Sequence, residues 1–353
     1  MTRLKKLALG GAAAAVIMTG AVSKSFAVES GAFQYLAGAS IGVPAGAAAP
    51  PGLYTGFESA EGIYGGMTGN QGGTNTATNT NGGRGTGLGS FIGIVPVVWS
   101  TGWNFLGASY SMAVIQPFVT AYVGNTGAGT TTCVDAAFGG TQGCVWQQMF
   151  INTVFQPLNM SWNLGGGWFA SIAFSFQAPE GTRVPGIANP DFWTFQPGFA
   201  ISYLAANWNV TLNTSYNIYG PSQGVAMNLG GTPFGNGYTS GNQFVGDFHA
   251  LYKLGKWSFG PVGYFVWQTT ADVAGGGGCA ALAAAAPAIG CANQNEFALG
   301  GLIGYDFGPV DVQAWVTDSI VQQNAGQSGI TVWSRVGFRL WGPEAPRPLV
   351  AKN

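Results

Sequence analysis

Ionisable side chains are rare in this chain, and several of them follow an even-numbered spacing. Asp247, His249 and Lys253 are separated by even numbers of residues, and so are Arg335 and Arg339. Side chains alternate between the two faces of a β-strand, so residues at this spacing share one face. Charges of both signs on such a face could brace the interior with ion pairs, or could form a constriction that selects a solute. Both interpretations remain open at this point.

Catalysis would be a different use of the same residues. His249 is the only histidine, and Asp247 shares its face, so the two could form a dyad that activates a nucleophile or a water molecule. No nucleophile-bearing motif accompanies them. We therefore expect neither catalytic residues nor a metal site nor a cofactor, and we predict that the protein is not an enzyme.

Strands must position these groups, and the clearest strand pattern is at residues 207–219, which read N-W-N-V-T-L-N-T-S-Y-N-I-Y. Its odd positions up to 217 are small and polar, and its even positions are apolar or amphipathic. A strand with this pattern has one apolar and one polar face. In a soluble sandwich the apolar face would look inward, whereas in an outer-membrane barrel it faces lipid and the polar face lines the lumen.

Composition favours the barrel. Only 7% of the residues are charged, against about 25% in a typical soluble domain. No apolar run of about 18 residues follows the first 25 positions, which excludes membrane-spanning helices. Acidic residues number 13 against 12 basic ones, so the basic patch that nucleic-acid binding requires is not expected.

The N-terminus has the pattern of a secretory signal peptide at 1–27. Basic residues precede an apolar core at 7–18, and the small residues Ser25 and Ala27 match a cleavage site before Val28.

Because an exported chain matures in an oxidising compartment, its four cysteines are expected to form disulfides. Cys133 is predicted to form a disulfide with Cys144, and Cys279 is predicted to form a second one with Cys291. Both bonds would close local loops. A metal site is not expected there, because neither loop supplies histidine or carboxylate company.

About twelve strand-like segments follow Gly52, and their connections alternate in length. Connections after the odd-numbered segments are long, and those after the even-numbered ones are short. This alternation indicates an all-β, transmembrane, up-and-down antiparallel β-barrel at 52–341, with long extracellular loops and short periplasmic turns. An even strand number leaves both termini in the periplasm, so we predict a periplasmic N-terminal extension at 28–51 and a periplasmic C-terminal tail at 342–353. The short turns are predicted at Ser100–Asn104, Gly165-Gly166, Ala205–Asn207, Gly255-Lys256 and Gly308-Pro309.

Aromatic residues are predicted to form two rings at the membrane–water interfaces, as outer-membrane barrels have. One set flanks the short turns, and the other lies near the opposite strand ends. The first set is Trp103, Trp162, Trp168, Tyr203, Trp208, Tyr252, Trp257, Phe307 and Trp341, and the second is Phe91, Tyr122, Phe150, Phe176, Tyr219, Phe244 and Trp267.

In such a barrel the ionisable residues named above would face the lumen. Glu58 is expected to point inward as well, beside Arg335 and Arg339 if the first and last strands pair. Charges are costly on a lipid-facing surface, so their shared inward direction supports the barrel. The lumen candidates are therefore Glu58, Asp247, His249, Lys253, Arg335 and Arg339.

The dipeptide Gln-Pro recurs inside three predicted strands at intervals of 40 residues. Proline removes a donor from the strand ladder and is usually found at edges or bulges. The bulges could supply curvature that closes a small barrel, or could open a lateral gap through which an apolar solute enters the bilayer. The three pairs are Gln116-Pro117, Gln156-Pro157 and Gln196-Pro197.

Several stretches resemble a known family. P-P-G-L-Y-T-G-F at 50–57, Q-P-L-N-M-S-W at 156–162 and, most specifically, Y-T-S-G-N-Q-F-V-G-D-F-H-A-L-Y-K-L-G-K-W-S-F-G-P-V-G-Y-F-V-W-Q-T-T-A-D at 238–272 are similar to the outer-membrane protein family of the MetA (meta-cleavage) pathway of phenol degradation. The resemblance covers most of 50–341 and implies a channel for aromatic or other hydrophobic compounds. The cysteine-containing loop 124–146 departs from the family pattern.

The sequence thus predicts a transporter in the outer membrane of a Gram-negative bacterium. Its partners would be membrane lipid and a small hydrophobic or aromatic solute. A narrow lumen, further blocked by inward side chains and by the 28–51 extension, would make it a specific conduit rather than a wide porin. The alternative is a structural or adhesive barrel whose extracellular loops carry the function.

Overall fold

The computed structural model describes residues 37–66, 86–127, 130–132, 147–181, 192–221, 239–271, 273, 294–323 and 328–343. Within these ranges, no helix is long and apolar enough to cross a membrane. The strands are β1 (Gly52–Gly66), β2 (Thr86–Phe105), β3 (Ala108–Gly127), β4 (Thr130–Thr132), β5 (Gln147–Phe150), β6 (Val154–Gly165), β7 (Trp168–Gln177), β8 (Thr194–Ala205), β9 (Trp208–Tyr219), β10 (Gln243–Leu254), β11 (Trp257–Gln268), β12 (Asn295–Asp306), β13 (Val310–Gln323) and β14 (Ser328–Trp341).

Several sequence predictions fall outside the described ranges. The signal peptide at 1–27 lies there, and so do all four cysteines, namely Cys133, Cys144, Cys279 and Cys291. The structure therefore shows neither the disulfide between Cys133 and Cys144 nor the one between Cys279 and Cys291. Both disulfides stay predictions from the sequence.

Twelve long strands form one closed antiparallel barrel, which confirms the predicted fold class. Each long strand pairs with its neighbours along the chain, and β1 pairs with β14 to close the sheet. The short strands β4 and β5 both pair with β3. The closing register sets Glu58 directly opposite Arg335, one of the two arginines on the strand expected beside it.

The polar and apolar faces are distributed as the alternation predicts. In β9, Asn209 and Thr211 are buried in the lumen, whereas Trp208 and Val210 are exposed on the outer surface. Because a strand reverses its side-chain direction at every residue, this local pattern alone orients the strand relative to lipid.

Short turns join the strands at the periplasmic end. The turn between β2 and β3 lies at Leu106 and Gly107, and the prediction of 100–104 was wrong, because the ladder is irregular after Ser100 and then resumes at Asn104. Leu106 and Ala206 both adopt the left-handed conformation, with φ of 52° and 38°.

Exposed aromatic residues surround the barrel near both of its ends. Exposed aromatic side chains near the periplasmic turns are Trp103, Trp168, Trp208, Trp257, Phe307 and Trp341, and those near the opposite ends include Phe150 and Trp267. Tyr219 is an exception to the predicted ring. It occupies a lumen-facing position of β9, where it is buried and donates a hydrogen bond to Oε1 of Gln243 at 2.6 Å.

The segment preceding β1 lies inside the barrel. Within residues 37–49, here called the plug, Ile41 is fully buried, and Gly46 accepts a hydrogen bond from the β6 residue Ser161 at 2.6 Å. The prediction of a periplasmic location for 28–51 is therefore wrong for this described part. The segment lies inside the barrel because the backbone groups of the plug form hydrogen bonds with polar side chains of the lumen wall. The prediction that this segment would block the lumen agrees with its position.

The fourth strand position of the barrel wall is occupied by two separate strands, β5 and β6. β5 ends at Phe150 and β6 begins at Val154, and the break lies opposite Gln116-Pro117 of β3. A second irregularity follows at Gln156-Pro157, where the β6–β7 register shifts between Phe155 and Leu158. Both irregularities of the ladder thus lie on one wall segment of the barrel.

Candidate functional site

Asp247 of β10 binds the start of the plug through its backbone. The carboxylate accepts hydrogen bonds from the N–H of Gly38 at 2.7 Å and from the N–H and the hydroxyl of Ser40 at 2.9 and 2.7 Å. The side chain of Asp247 is 1% exposed. Hydrogen bonds to an ionised acceptor are stronger than neutral ones, so Asp247 is the principal anchor of this part of the plug.

His249, two residues further along β10, binds the next turn of the plug. Its Nδ1 accepts a hydrogen bond from the N–H of Gly42 at 3.1 Å. A neutral imidazole that accepts at Nδ1 carries its proton at Nε2. Nδ1 is therefore occupied by the plug, and this arrangement does not resemble the dyad considered above.

Arg335 of β14 reaches the plug from the opposite side. Its Nε donates to Oε2 of Glu58 at 2.7 Å, one terminal nitrogen donates to the carbonyl of Ile41 at 2.6 Å, and the other donates to the carbonyl of Ala39. Arg335 and Glu58 also form an ion pair at 2.7 Å. The guanidinium thus neutralises a buried carboxylate and holds two plug carbonyls at once.

Two of the predicted lumen candidates lie outside this cluster. Lys253 is exposed near the periplasmic turn of β10. Arg339 is also exposed, donates to the carbonyl of Pro51 and lies over the ring of Tyr54. The structure therefore brings together four of the six candidates, namely Glu58, Asp247, His249 and Arg335.

The remainder of the plug is bound by small polar side chains of β6 to β9, which continue the wall that begins with β10. Ser202 accepts from the N–H of Gly46 at 2.9 Å, and Ser171 donates to the carbonyl of Ala45 at 2.8 Å. The amide of Asn209 donates to the carbonyl of Gly42 at 3.3 Å. One serine or asparagine from each of β6 to β9 thus binds a backbone group of the plug, namely Ser161, Ser171, Ser202 and Asn209.

The opposite wall of the lumen carries a buried apolar cluster. Ile41 of the plug belongs to a buried cluster with residues of β1, β2 and β10 to β14, and its wall members include Ile92 and Ile94. Trp315 and Trp333 belong to the same cluster and stack with ring centroids 5.5 Å apart and planes 5° apart. Arg335 lies 4.9 Å over Trp315 on the lumen side.

The sequence interpretation missed Trp315 and Trp333. Both lie mid-strand, where the interfacial rings place no aromatic residue. A signal was present, since Trp333 shares its strand face with Arg335 and must point inward if the arginine does. Glu296 was missed as well, although Tyr264 donates to it at 2.8 Å and Ser319 also donates to it in the lumen.

The three Gln-Pro pairs have different surroundings. The amide of Gln116 donates to the carbonyls of Pro117 and Ile151, both at 2.9 Å, and bridges the strand break. Gln156-Pro157 lies at a register shift. Gln196-Pro197 keeps a regular register with β7, so its assignment as a bulge was wrong.

The regular register at Gln196 has a physical cause. Its side chain is buried and hydrogen-bonds Asn217 and Gln177 on the two neighbouring strands, at 3.0 and 3.3 Å. These bonds tie the three strands together beside the proline, whose missing N–H removes a donor from the ladder.

A solved structure shares this architecture. An outer membrane channel from Pseudomonas putida F1 is 11% identical, with a TM-score of 0.60 over 82% of this chain and 96% of that chain. The CymD monoaromatic hydrocarbon channel is 10% identical, with a TM-score of 0.41 over 87% and 93% of the two chains. The first likeness shows a common fold, and the second is too low to support one. Among curated proteins, none matches the chain.

A family match covers most of the barrel. It extends over residues 66–336, from the end of β1 to the middle of β14. This stretch includes Asp247, His249, Trp315, Trp333 and Arg335. The chain therefore belongs to the family described as "Putative MetA-pathway of phenol degradation".

Proposed function

We propose that this protein is an outer-membrane channel for the uptake of small hydrophobic or aromatic compounds. The observation that carries this proposal is the two-sided lumen. Polar side chains of β6 to β10 bind the backbone of the plug, and on its other side Ile41 packs in a buried cluster with Ile92, Ile94, Trp315 and Trp333. Water-filled porins have polar interiors, whereas a solute that displaces the plug from this side meets apolar and aromatic surface.

The ionisable cluster has a structural part in this proposal. Asp247, His249 and Arg335 bind groups of the plug, and Arg335 also pairs with Glu58. These polar groups are therefore engaged within the protein rather than offered to a solute. Such a lumen suits neutral compounds better than ions. The family description supports an aromatic substrate, because phenol is an aromatic compound.

The exit route is proposed to run sideways between β3 and the interrupted strand pair β5 and β6. The strand pairing is interrupted opposite Gln116-Pro117, where the N–H of Ile151 still donates to the carbonyl of Pro117 at 3.0 Å, and it is irregular again at Gln156-Pro157. Few ladder hydrogen bonds would have to break there for an apolar solute to pass into the bilayer. Ile151, which is buried in the apolar cluster, lines the lumen side of this break.

Uptake by cells that lack the protein tests the proposal. Radiolabelled toluene and phenol should accumulate several-fold more slowly in the deletion strain than in the complemented strain. The permeability to a polar sugar of similar size should be the same in both. Equal uptake of every aromatic compound would contradict the transport function and would favour a structural or adhesive barrel.

A further inference from the structure

Gln116 of β3 is a polar side chain on the outward, lipid-facing surface of the barrel. It lies directly opposite Val95 of β2, whose side chain is 37% exposed on that surface. Directly opposed residues of an antiparallel pair share one face, so the Gln116 amide points away from the lumen. A polar group on a surface that the bilayer covers needs hydrogen-bond partners within the protein.

Those partners lie in the three residues that interrupt the barrel wall. Residues 151–153, here called the connector, join β5 to β6. The amide nitrogen of Gln116 donates to the carbonyl of Ile151 at 2.9 Å, and its oxygen accepts from the hydroxyl of Thr153 at 2.7 Å. Because Gln116 belongs to β3, these two hydrogen bonds hold the connector against the neighbouring strand where the ladder is interrupted.

The connector is also held from the extracellular side. The carboxylate of Glu180 accepts a hydrogen bond from the N–H of Thr153 at 3.1 Å, and the side-chain oxygen of Asn152 accepts one from the N–H of Gly181 at 2.9 Å. Glu180 and Gly181 follow β7, at the start of a long extracellular connection. Thr153 is therefore bound through its side chain by β3 and through its backbone by this connection.

On the lumen side, the connector covers apolar surface. Ile151 is 2% exposed and belongs to the buried cluster that contains Ile41 and Ile92. Ile115, next to Gln116 on β3 but on the opposite face, packs against the same cluster. An outward movement of the connector would therefore uncover apolar surface of the lumen toward the bilayer.

We propose that Gln116 and Glu180 form a latch that keeps the connector in place, and that release of Thr153 from both side chains opens the lateral exit. This inference rests on the proposed function, because it names the residues that control its exit route. A latch of a few side-chain hydrogen bonds can open and re-form without loss of the strand ladder on either side. It also makes the opening depend on the extracellular segment that carries Glu180.

Backbone amide exchange tests the latch directly. The mature protein in lipid nanodiscs is compared with Gln116→Met and Glu180→Ala, and exchange is measured by NMR at the amide of Ile151. This amide donates to the carbonyl of Pro117 and not to either latch side chain, so its exchange reports movement of the connector. Each variant should speed that exchange several-fold, because local opening exposes the amide to solvent.

The matched control is Thr214→Val. The Thr214 hydroxyl donates to the carbonyl of Phe199 at 2.9 Å, on the outward surface and between strands in regular register. Its loss should leave exchange at Ile151 unchanged. Equal acceleration by the control and the latch variants would overturn the latch, and so would unchanged exchange in Gln116→Met and Glu180→Ala.

Double variants test whether the latch has two attachments. Thr153→Val removes the hydroxyl that Gln116 binds, so its combination with Gln116→Met should speed exchange little more than Gln116→Met alone. Combining Gln116→Met with Glu180→Ala should speed it several-fold further, because two separate attachments are lost. If the second combination behaves like Gln116→Met alone, Glu180 is not part of the latch.

Toluene uptake by whole cells connects the latch with transport. Both latch variants should raise the protein-dependent uptake rate several-fold and leave ion conductance unchanged, because the plug stays in place. If exchange becomes faster but protein-dependent uptake does not, the connector does not control the exit and the inference is overturned. If uptake does not depend on the protein at all, the transport function is overturned, whereas faster exchange in both variants would still support the latch.

Discussion

At the scale of single residues, Asp247 decides where the plug rests. Its two oxygens accept three hydrogen bonds from Gly38 and Ser40. A carboxylate offers acceptors on both oxygens, which is why donors from two plug residues converge on it. An amide in its place would offer one acceptor and would turn its NH₂ group toward a donor.

Asp247→Asn should therefore loosen the plug. Replacing charge-assisted bonds with a mismatched amide should cost about 2 kcal/mol of plug binding, which raises the population of the undocked state about 30-fold. Single-channel recordings in planar bilayers should show more frequent and larger openings. Lys253→Gln, at an exposed position outside the plug contacts, is the control, and identical openings in both variants would contradict the anchoring role.

Arg335 has a different role, because it compensates a buried charge. Arg335→Gln should destabilise the barrel by about 3 kcal/mol, since Glu58 would remain buried without its partner. The double variant with Glu58→Gln should recover a large part of that loss. Denaturant unfolding in lipid vesicles measures both, and a double variant no more stable than the single one would show that the ion pair is not the cause.

At the scale of elements, the strand break and the bulge beside it distinguish one side of the barrel. Changing Gln156-Pro157 to Thr-Thr restores a ladder donor and should regularise β6. We expect several-fold slower uptake of hydrophobic compounds with little change in ion conductance. Pro197→Thr, where the register is already regular and Gln196 keeps its hydrogen bonds to the neighbouring strands, is the control. Unchanged uptake of every hydrophobic solute by the first variant would rule out the lateral route.

The periplasmic turns offer a test of backbone conformation. Ala206 has φ of 38°, a region that costs a non-glycine residue about 1 kcal/mol, and so Ala206→Gly should raise the free energy of unfolding by a few tenths of a kcal/mol up to about 1. Gly308→Ala is the converse change, because Gly308 has φ of 95° and open space around it. It should lower stability, and equal effects of both changes would exclude φ as the cause.

At the scale of the whole molecule, the plug converts a polar barrel into a conduit with one apolar side. A chain that lacks residues 37–49 should still close its barrel, because the strand ladder and the β1–β14 pairing do not depend on the plug. It should conduct ions and pass small sugars several-fold better, since the polar wall of β6 to β10 would then face water. Liposome swelling with sugars of increasing size measures this change, and an unaltered sugar permeability would contradict the blocking role.

The barrel and its orientation were determined by the sequence itself. Alternation is a local property of each strand, and the residue types along β9 suffice to assign its faces. The even strand number and the alternating loop lengths set the topology, and the position of Glu58 beside the strand that carries Arg335 and Arg339 followed from closure of the first strand on the last. These features depend on spacing along the chain, so they can be read without coordinates.

The interior was decided only by tertiary structure. Residues 37–49 carry neither charge nor a clear period, and what places them is a set of backbone amides and carbonyls that every sequence possesses. Their partners Asp247 and Arg335 lie about 200 and 300 positions away. The stacking of Trp315 on Trp333 likewise requires the register between two strands. Local patterns specify which way a side chain points. Which residues contact one another inside the lumen depends on the pairing of distant parts of the chain.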